Sequence, residues 1–205
     1  MTALNLFATC NGNSLPEFFR WINQPEEWGF SDTAALTILA PPLADFFEDP
    51  AGVHIRKSAP FLYKVVEGDF TIYTQVEVDM KAEADSACIM VMFDELHWAK
   101  LCFENSCNRP TIVSVVTNGT SDDCNSQALD SKHPFLRVTR FQSCFAFHYS
   151  LDGAYWQLVR YFKIAVPSRI MAGVVSQSPA GQGCKSVFRF LDYSAIPVEN
   201  IRSGA

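Results

Sequence analysis

The chain has 205 residues, of which 48% are hydrophobic and 19% charged, a composition that excludes a disordered protein. Its formal net charge is −6, which disfavours nonspecific binding to nucleic acid or to an anionic membrane, so neither is expected as a partner. A chain of this length buries roughly 70% of its unfolded surface on folding, so its stability requires neither a metal nor a disulfide framework.

The predicted elements are mostly short strands, and together they predict an all-β protein. Residues 1–27 are expected to form an N-terminal cap segment, within which 16–24 is a short helix or an irregular stretch. The strands that follow are predicted at 34–39, 61–66, 70–80, 87–93, 97–104, 111–117, 135–140, 143–150, 155–163, 169–176 and 186–192. This pattern predicts two antiparallel sheets packed face to face in a single domain that spans residues 1–205.

The strand predicted over residues 97–104 carries an unusual polar face. Successive side chains of a strand point to opposite sides, so the polar side of this one presents Trp98, Lys100, Cys102 and Glu104. Lys100 and Glu104 are four residues apart, about 13 Å along a strand, and therefore cannot bond to each other. Each is expected to have another partner, either within the protein or in a ligand.

Several segments, in order and spacing over residues 28–193, resemble a family of concanavalin-A-like lectin/glucanase sandwiches. It is a domain-of-unknown-function family in which some fungal members are named for the regulation of enolase. The segments that carry the resemblance are Trp98-x-Lys100-x-x-x-Glu104, Ser114-Val-Val-Thr117, Ser121-Asp122, Val66-Glu-Gly-Asp-Phe70, Tyr149-Ser-Leu-Asp-Gly153 with Trp156, and Gly173-Val-Val-Ser-Gln-Ser178-Pro179. The resemblance implies a jelly-roll sandwich. Cys102 stands where the family usually has glycine.

The polar strand face is the predicted ligand-binding site, on a concave side of one sheet. Trp98 would stack on a flat group such as a sugar ring, while Lys100 and Glu104 make polar contacts. Arg137 lies between the core residues of its own strand and could join that face. The candidate ligand-binding residues are Trp98, Lys100, Glu104, Thr117, Arg137 and His148. A structural alternative has Lys100 and Glu104 in salt bridges with Arg137 or Arg160.

No catalytic residue is assigned from the sequence. Glu77 and Asp79 share one side of a strand, the arrangement of the two carboxylates of a retaining glycoside hydrolase, which needs them about 5–5.5 Å apart. A solvated sheet face explains the same pair, and no tryptophan lies beside it to form a sugar subsite. Glycoside hydrolysis is therefore the lesser alternative.

No cofactor or metal is predicted. The four histidines do not have the spacing of a zinc site. A calcium site in the acidic loops remains an alternative, and its candidate ligands are Asp94, Glu95, Asp122 and Asp123. The dipeptide Asn118-Gly119 predicts a turn rather than a glycosylation site.

The sequence thus favours a noncatalytic, lectin-like binding or regulatory module whose ligand is a carbohydrate or small polar metabolite. The resemblance adds a second possibility, a protein-interaction regulator of a cytosolic metabolic enzyme. A cytoplasmic location is expected, because the seven cysteines follow no disulfide pattern and neither a secretory signal nor a membrane-spanning run is evident.

Overall fold

Alternation of apolar and polar side chains along the chain produces two large antiparallel sheets in the computed structural model, which describes residues 3–204. The strands are β1 (Leu4–Asn5), β2 (Phe19–Ile22), β3 (Trp28–Phe30), β4 (Leu36–Ala40), β5 (Phe46–Glu48), β6 (Ile55–Lys57), β7 (Phe61–Glu67), β8 (Phe70–Val78), β9 (Ser86–Asp94), β10 (His97–Ser106), β11 (Arg109–Asn118), β12 (Thr120–Ala128), β13 (Phe135–Phe141), β14 (Cys144–Ser150), β15 (Trp156–Lys163), β16 (Arg169–Gln177), β17 (Cys184–Phe188) and β18 (Asp192–Ser194).

The two sheets form a sandwich. The nine-stranded sheet has the order β15-β14-β13-β8-β17-β4-β3, with β18 also paired to β8 and β1 paired to β18. The seven-stranded sheet has the order β12-β11-β10-β9-β16-β7-β2, and β5 and β6 form a separate hairpin. The expected all-β, jelly-roll fold is confirmed. Between residues 3 and 204 no helix is long and apolar enough to cross a membrane.

The main core lies between the two sheets. Ala99, Leu101 and Phe103 of β10 belong to the same buried cluster as Ile72 of β8 and Val138 of β13. These side chains define the inner face of each sheet, and the opposite side is its outer face. Because side chains alternate, the polar residues of β10 lie on the outer face of the seven-stranded sheet.

A second buried cluster lies on that outer face. It contains Trp98 and Cys102 of β10, together with Phe46 and Ala59 from the segment that carries the β5–β6 hairpin. Residues 44–59 are called the covering segment here. Phe46 meets Trp98 edge to face, with ring centroids 6.1 Å apart. The seven-stranded sheet is therefore buried on both sides where the covering segment lies.

One predicted element differs in the structure, and several strands were not predicted. The helix or irregular stretch expected over 16–24 contains the strand β2, whose residues pair with β7 at the sheet edge. Strand β12 was not predicted, because its residues from 122 to 128 are all exposed and show no apolar alternation. The predicted turn is confirmed, since Gly119 has a φ of 82° and joins the paired residues Asn118 and Thr120.

Candidate functional site

Lys100 is held by three oxygen acceptors beneath the covering segment. Its Nζ donates to the Phe46 carbonyl at 2.7 Å, to Gln177 Oε1 at 2.9 Å and to Asp45 Oδ1 at 3.3 Å. The side chain is only 2% exposed. Burial alone would lower the pKa of Lys100. The nearby Asp45 carboxylate raises this pKa by more than burial lowers it, so the net shift is upward and the ammonium stays charged. The three donors of the ammonium are used inside the protein.

Trp98 is closed off in the same way. It is 1% exposed, its indole nitrogen donates to the Glu95 carbonyl at 3.3 Å, and the Lys100 ammonium lies 5.6 Å from its ring centroid. The expectation that Trp98 presents an open stacking surface is wrong, because Phe46 of the covering segment packs against the ring. The indole instead forms the floor on which that segment sits.

Thr117 lies directly opposite Trp98 in the β10–β11 pair and is fully buried. Its hydroxyl is 2.8 Å from the Ser121 hydroxyl, which also accepts the Glu48 backbone N–H at 2.9 Å. This short chain of hydrogen bonds ties β11 and β12 to the covering segment. Thr117 therefore has no open surface for a ligand in this arrangement.

Arg137 and His148 lie elsewhere, on the outer face of the nine-stranded sheet. They are directly opposite each other in the β13–β14 pair. The expectation that they join the Lys100 face is wrong, because the outer faces of the two sheets point away from each other across the core. Burial lowers the pKa of His148 to about 4 and that of Arg137 to about 10.

Glu104 is the one residue of the six candidates that is only partly buried. It lies opposite Ser86 and Thr111 at the end of β10 farthest from Trp98, and no described side chain or backbone group forms a hydrogen bond or ion pair with it. Burial raises the pKa of Glu104 to about 7, and the negative charge of Asp45 adds to that shift while Lys100 opposes it. The hydrogen-bonding capacity of this carboxyl group is thus unused by the described residues.

The two carboxylates considered for glycoside hydrolysis lie in exposed ion pairs. Glu77 accepts a hydrogen bond from Arg189 at 3.0 Å, and Asp79 pairs with Lys81 at 2.6 Å. Both acidic groups are on the outer face of the nine-stranded sheet, far from the predicted ligand face. The pair matches the solvated sheet face that was the alternative.

The acidic loop residues considered for calcium do not gather into a site. Asp94 bonds to the ring of His97 at 2.7 Å, and Asp122 pairs with Arg160 at the same distance. Among residues 3–204 no three side chains of the metal-binding types come together.

Sequence reasoning missed Asp45 and Gln177, which complete the environment of Lys100. Gln177 also donates to Asp45 Oδ1 at 3.0 Å, so the two residues hold each other as well as the ammonium. Gln177 and the neighbouring Ser176, at the end of the mostly apolar β16, are the signal that could have indicated a buried polar network. The spacing of residues in the sequence did not indicate that residues 44–59 fold onto β10, since Asp45 and Lys100 are 55 positions apart.

The chain belongs to the family described as "Protein of unknown function (DUF1349)", whose model matches residues 21–196. It is 28% identical over 169 residues to the Saccharomyces cerevisiae protein named "Regulation of enolase protein 1". That alignment covers 82% of this chain and 85% of the relative. The resemblance expected from the motifs is confirmed.

Solved structures share the fold. A functionally unknown protein from Saccharomyces cerevisiae superposes with a TM-score of 0.82 at 26% identity, covering 88% of this chain and 98% of that one. A mutant of the GH43 protein BlXynB from Bacillus licheniformis gives 0.75 at 13%, covering 94% and 39%. Lectin I-B4 from Griffonia simplicifolia gives 0.61 at 10%, covering 95% and 99%. At these identities the hydrolase and the lectin show the sandwich fold alone.

Proposed function

We propose that this protein is a noncatalytic binding module that takes a small hydroxyl-rich ligand, a carbohydrate or polar metabolite, at the Glu104 end of the outer face. The observation that carries the proposal is the Glu104 carboxyl group, which is largely withdrawn from water and has no partner among the described residues. A carboxylate in such a place gains free energy when hydroxyl groups donate to it.

The surroundings of Glu104 suit a ligand that carries many hydrogen-bonding groups. Asp123 and Asn125 of β12 lie opposite Val115 and Val113, so they share the outer face with Glu104, and both are exposed. Their acceptors and the Asn125 amide would meet sugar-type hydroxyl groups side by side. Trp98 and Lys100 are buried beneath the covering segment and do not touch the ligand.

Regulation of a cytosolic enzyme by direct contact is the second candidate. It is supported by the name of the relative, "Regulation of enolase protein 1". It is also supported by exposed apolar side chains at one end of the covering segment: Val53 and Ile55 are 85% and 49% exposed, and Leu96 on the adjacent β9–β10 turn is 44% exposed. A cytosolic location is part of this proposal, and the seven unpaired cysteines support it.

A glycan array and a thermal-shift screen of sugars and polar metabolites test the binding proposal. The experiment compares wild type, Glu104→Gln and Glu67→Gln, the last removing an exposed carboxylate from the same sheet as a matched control. We expect a saturable rise in the melting temperature of wild type and Glu67→Gln with at least one ligand, and its loss in Glu104→Gln. A response that persists in Glu104→Gln contradicts the site. No response to any sugar or metabolite, together with retrieval of a cytosolic enzyme by wild type but not by Ile55→Asp, favours the second candidate.

A further inference from the structure

On the outer face of the nine-stranded sheet, the space above Arg137 and His148, called the pocket here, is occupied by the chain itself. Residues 200–204, called the C-terminal strap here, cross the outer side of Arg137 and His148. Arg137 Nη2 donates to the Gly204 carbonyl at 2.6 Å, and the distance from His148 Nε2 to the Ile201 carbonyl is 2.8 Å. Gly204 is buried although its neighbours Arg202 and Ser203 are exposed.

The positive charge of Arg137 is not compensated by an acidic group. The residue is 6% exposed, its guanidinium lies 4.0 Å from the Trp156 ring centroid, and no carboxylate among the described residues is within ion-pair distance. Asp192 instead lies opposite Tyr73 in the β8–β18 pair. Arg137 remains charged at neutral pH, since burial lowers its pKa only to about 10. A buried cation without a counterion is costly, so the site favours an anion.

The hydrogen bonds of Arg137 indicate which anion suits the pocket. Its Nη2 is bonded to Gly204, but Nε, on the same edge of the planar guanidinium, is buried without a partner. A peptide carbonyl offers one oxygen to an edge that has two parallel donors, whereas a carboxylate offers two. We propose that this pocket is a binding site for a small carboxylate and that the C-terminal strap occupies it in the unliganded protein.

The size of the occupant follows from Gly204. A Cβ atom at this position would lie 2.7 Å from Arg137 Nη2, 2.7 Å from Trp156 Cβ and 3.3 Å from His148 Cδ2. Only a residue without a side chain fits, so the space is that of an acetate-sized group. The carboxylate is therefore one carried by a small acid or at the end of a slender chain.

Hydrogen bonds within the C-terminal strap hold its residues together as one unit. The Asn200 side chain accepts the backbone N–H groups of Arg202 and Ser203, and the Asn200 carbonyl accepts that of Gly204, so these turns stay intact when the strap moves. Its contacts with the sheet include the hydrogen bonds to Arg137 and His148, and the Arg202 guanidinium lies 5.6 Å from the Tyr161 ring centroid. A carboxylate that competes with the strap binds with an affinity reduced by the fraction of molecules in which the strap is open.

The test is an NMR titration of the Trp156 indole N–H signal with sodium acetate at pH 7, with sodium chloride holding the ionic strength constant. The variants are wild type, Gly204→Ala, Gly68→Ala and Gly204→Ala/Arg137→Lys. Gly68 is the matched control, because its φ of 74° equals that of Gly204 while nothing lies within 4 Å of an added Cβ. N-acetylglycine is titrated in parallel, to distinguish a free small acid from a carboxylate at a peptide end.

We expect acetate to bind Gly204→Ala at least tenfold more tightly than wild type, since the added methyl group expels the strap. Gly68→Ala should match wild type. Lysine keeps the charge but not the two-donor edge, so adding Arg137→Lys to Gly204→Ala should weaken binding at least tenfold. Equal affinity in wild type and Gly204→Ala overturns the proposal, and so does a shift that chloride alone produces. Tighter binding of N-acetylglycine than of acetate assigns the site to a peptide carboxylate, and the reverse assigns it to a free acid.

Discussion

The Lys100 ammonium and the Asp45 carboxylate meet at 3.3 Å between β10 and the covering segment, with both side chains buried. Gln177 bonds to both of them, so each charged group has a second polar partner. Such a pair stabilises less by its own attraction than it costs when one partner is lost, because the other charge is then left buried.

Replacing Lys100 with methionine should therefore destabilise the protein by about 3 kcal/mol or more, since Asp45 would keep a buried charge without its ammonium. Urea denaturation of Lys100→Met measures this loss. In a double-mutant cycle, adding Asp45→Asn should restore part of the stability. The exposed pair of Lys81 and Asp79 provides the control, and Lys81→Met should change stability little. Equal effects of the two lysine substitutions would show that the buried pair is not what secures the covering segment.

Glu104 should make the fold less stable as pH rises from about 4.5 to about 7. Its pKa is about 7 when folded and 4.5 in the absence of the fold, so the folded state binds the proton more tightly and loses that advantage on titration. The loss is on the order of 3 kcal/mol when complete. Unfolding free energies of wild type and Glu104→Gln, measured from pH 4.5 to 8, should diverge over this window, with the variant more stable at pH 8. Parallel curves would contradict the raised pKa.

His148 should act in the opposite sense. Its pKa falls from 6.5 to about 4 on folding, so the stability that it contributes is complete above pH 6.5 and declines as the pH drops towards 4. His148→Gln does not titrate and should remove this decline. Comparing its pH profile with that of wild type separates His148 from Glu104, whose slope has the other sign. A profile unchanged by His148→Gln would mean that the imidazole titrates as it does in the unfolded chain.

Gly173 should not tolerate a side chain. It pairs with Tyr63 across β7, and an added Cβ would collide with the Leu62 carbonyl oxygen and lie 2.7 Å from Tyr63 Cα. We expect Gly173→Ala to cost about 3 kcal/mol, because the obstructing atoms belong to the backbone of β7, a strand that is paired on both sides. Gly29→Ala is the matched strand control, with its nearest contact at 3.5 Å, and should be close to neutral. Thermal denaturation of the two variants decides the matter.

The cysteines should react in an order set by exposure. Cys107 and Cys124 are exposed and should be alkylated by iodoacetamide first, with Cys144 slower. The buried thiols of Cys88 and Cys102 are 2.9 Å apart, and burial raises the pKa of Cys102, so both should remain unmodified until the protein unfolds. Mass spectrometry of peptides from a timed reaction gives the order. Early modification of Cys102 would indicate that the covering segment opens readily.

The strands of the core were predictable because burial leaves a periodic signature. Leu101 and Phe103 alternate with the residues of the predicted polar face of β10, and they lie in the core between the sheets. Strand β12 escaped, since its exposed residues pair through the backbone and carry no apolar period. The short β5 and β6 escaped for a related reason, since a three-residue strand is too brief to show a pattern.

The environment of the candidate site was less predictable than its members. Lys100 and Glu104 stood out as polar residues beside a tryptophan, but their fates depend on Asp45, which is distant in sequence. Arg137 was placed correctly on the polar side of its strand. The residues of a strand do not reveal which of the two sheets it joins. The polar sides of strands in different sheets of a sandwich therefore face opposite sides of the molecule, although their sequence patterns are the same.

The covering segment forms its own two-stranded hairpin. One isolated β-bridge, between Ala44 and Ser178, pairs its backbone with the residue that follows β16. It can consequently be shortened, lengthened or rebuilt without disturbing the ladder of either sheet. A relative with a shorter loop here would display an indole and an ammonium to solvent from an otherwise unchanged scaffold. Variation in this one connection is thus a simple route by which the fold can gain or lose an accessible binding groove.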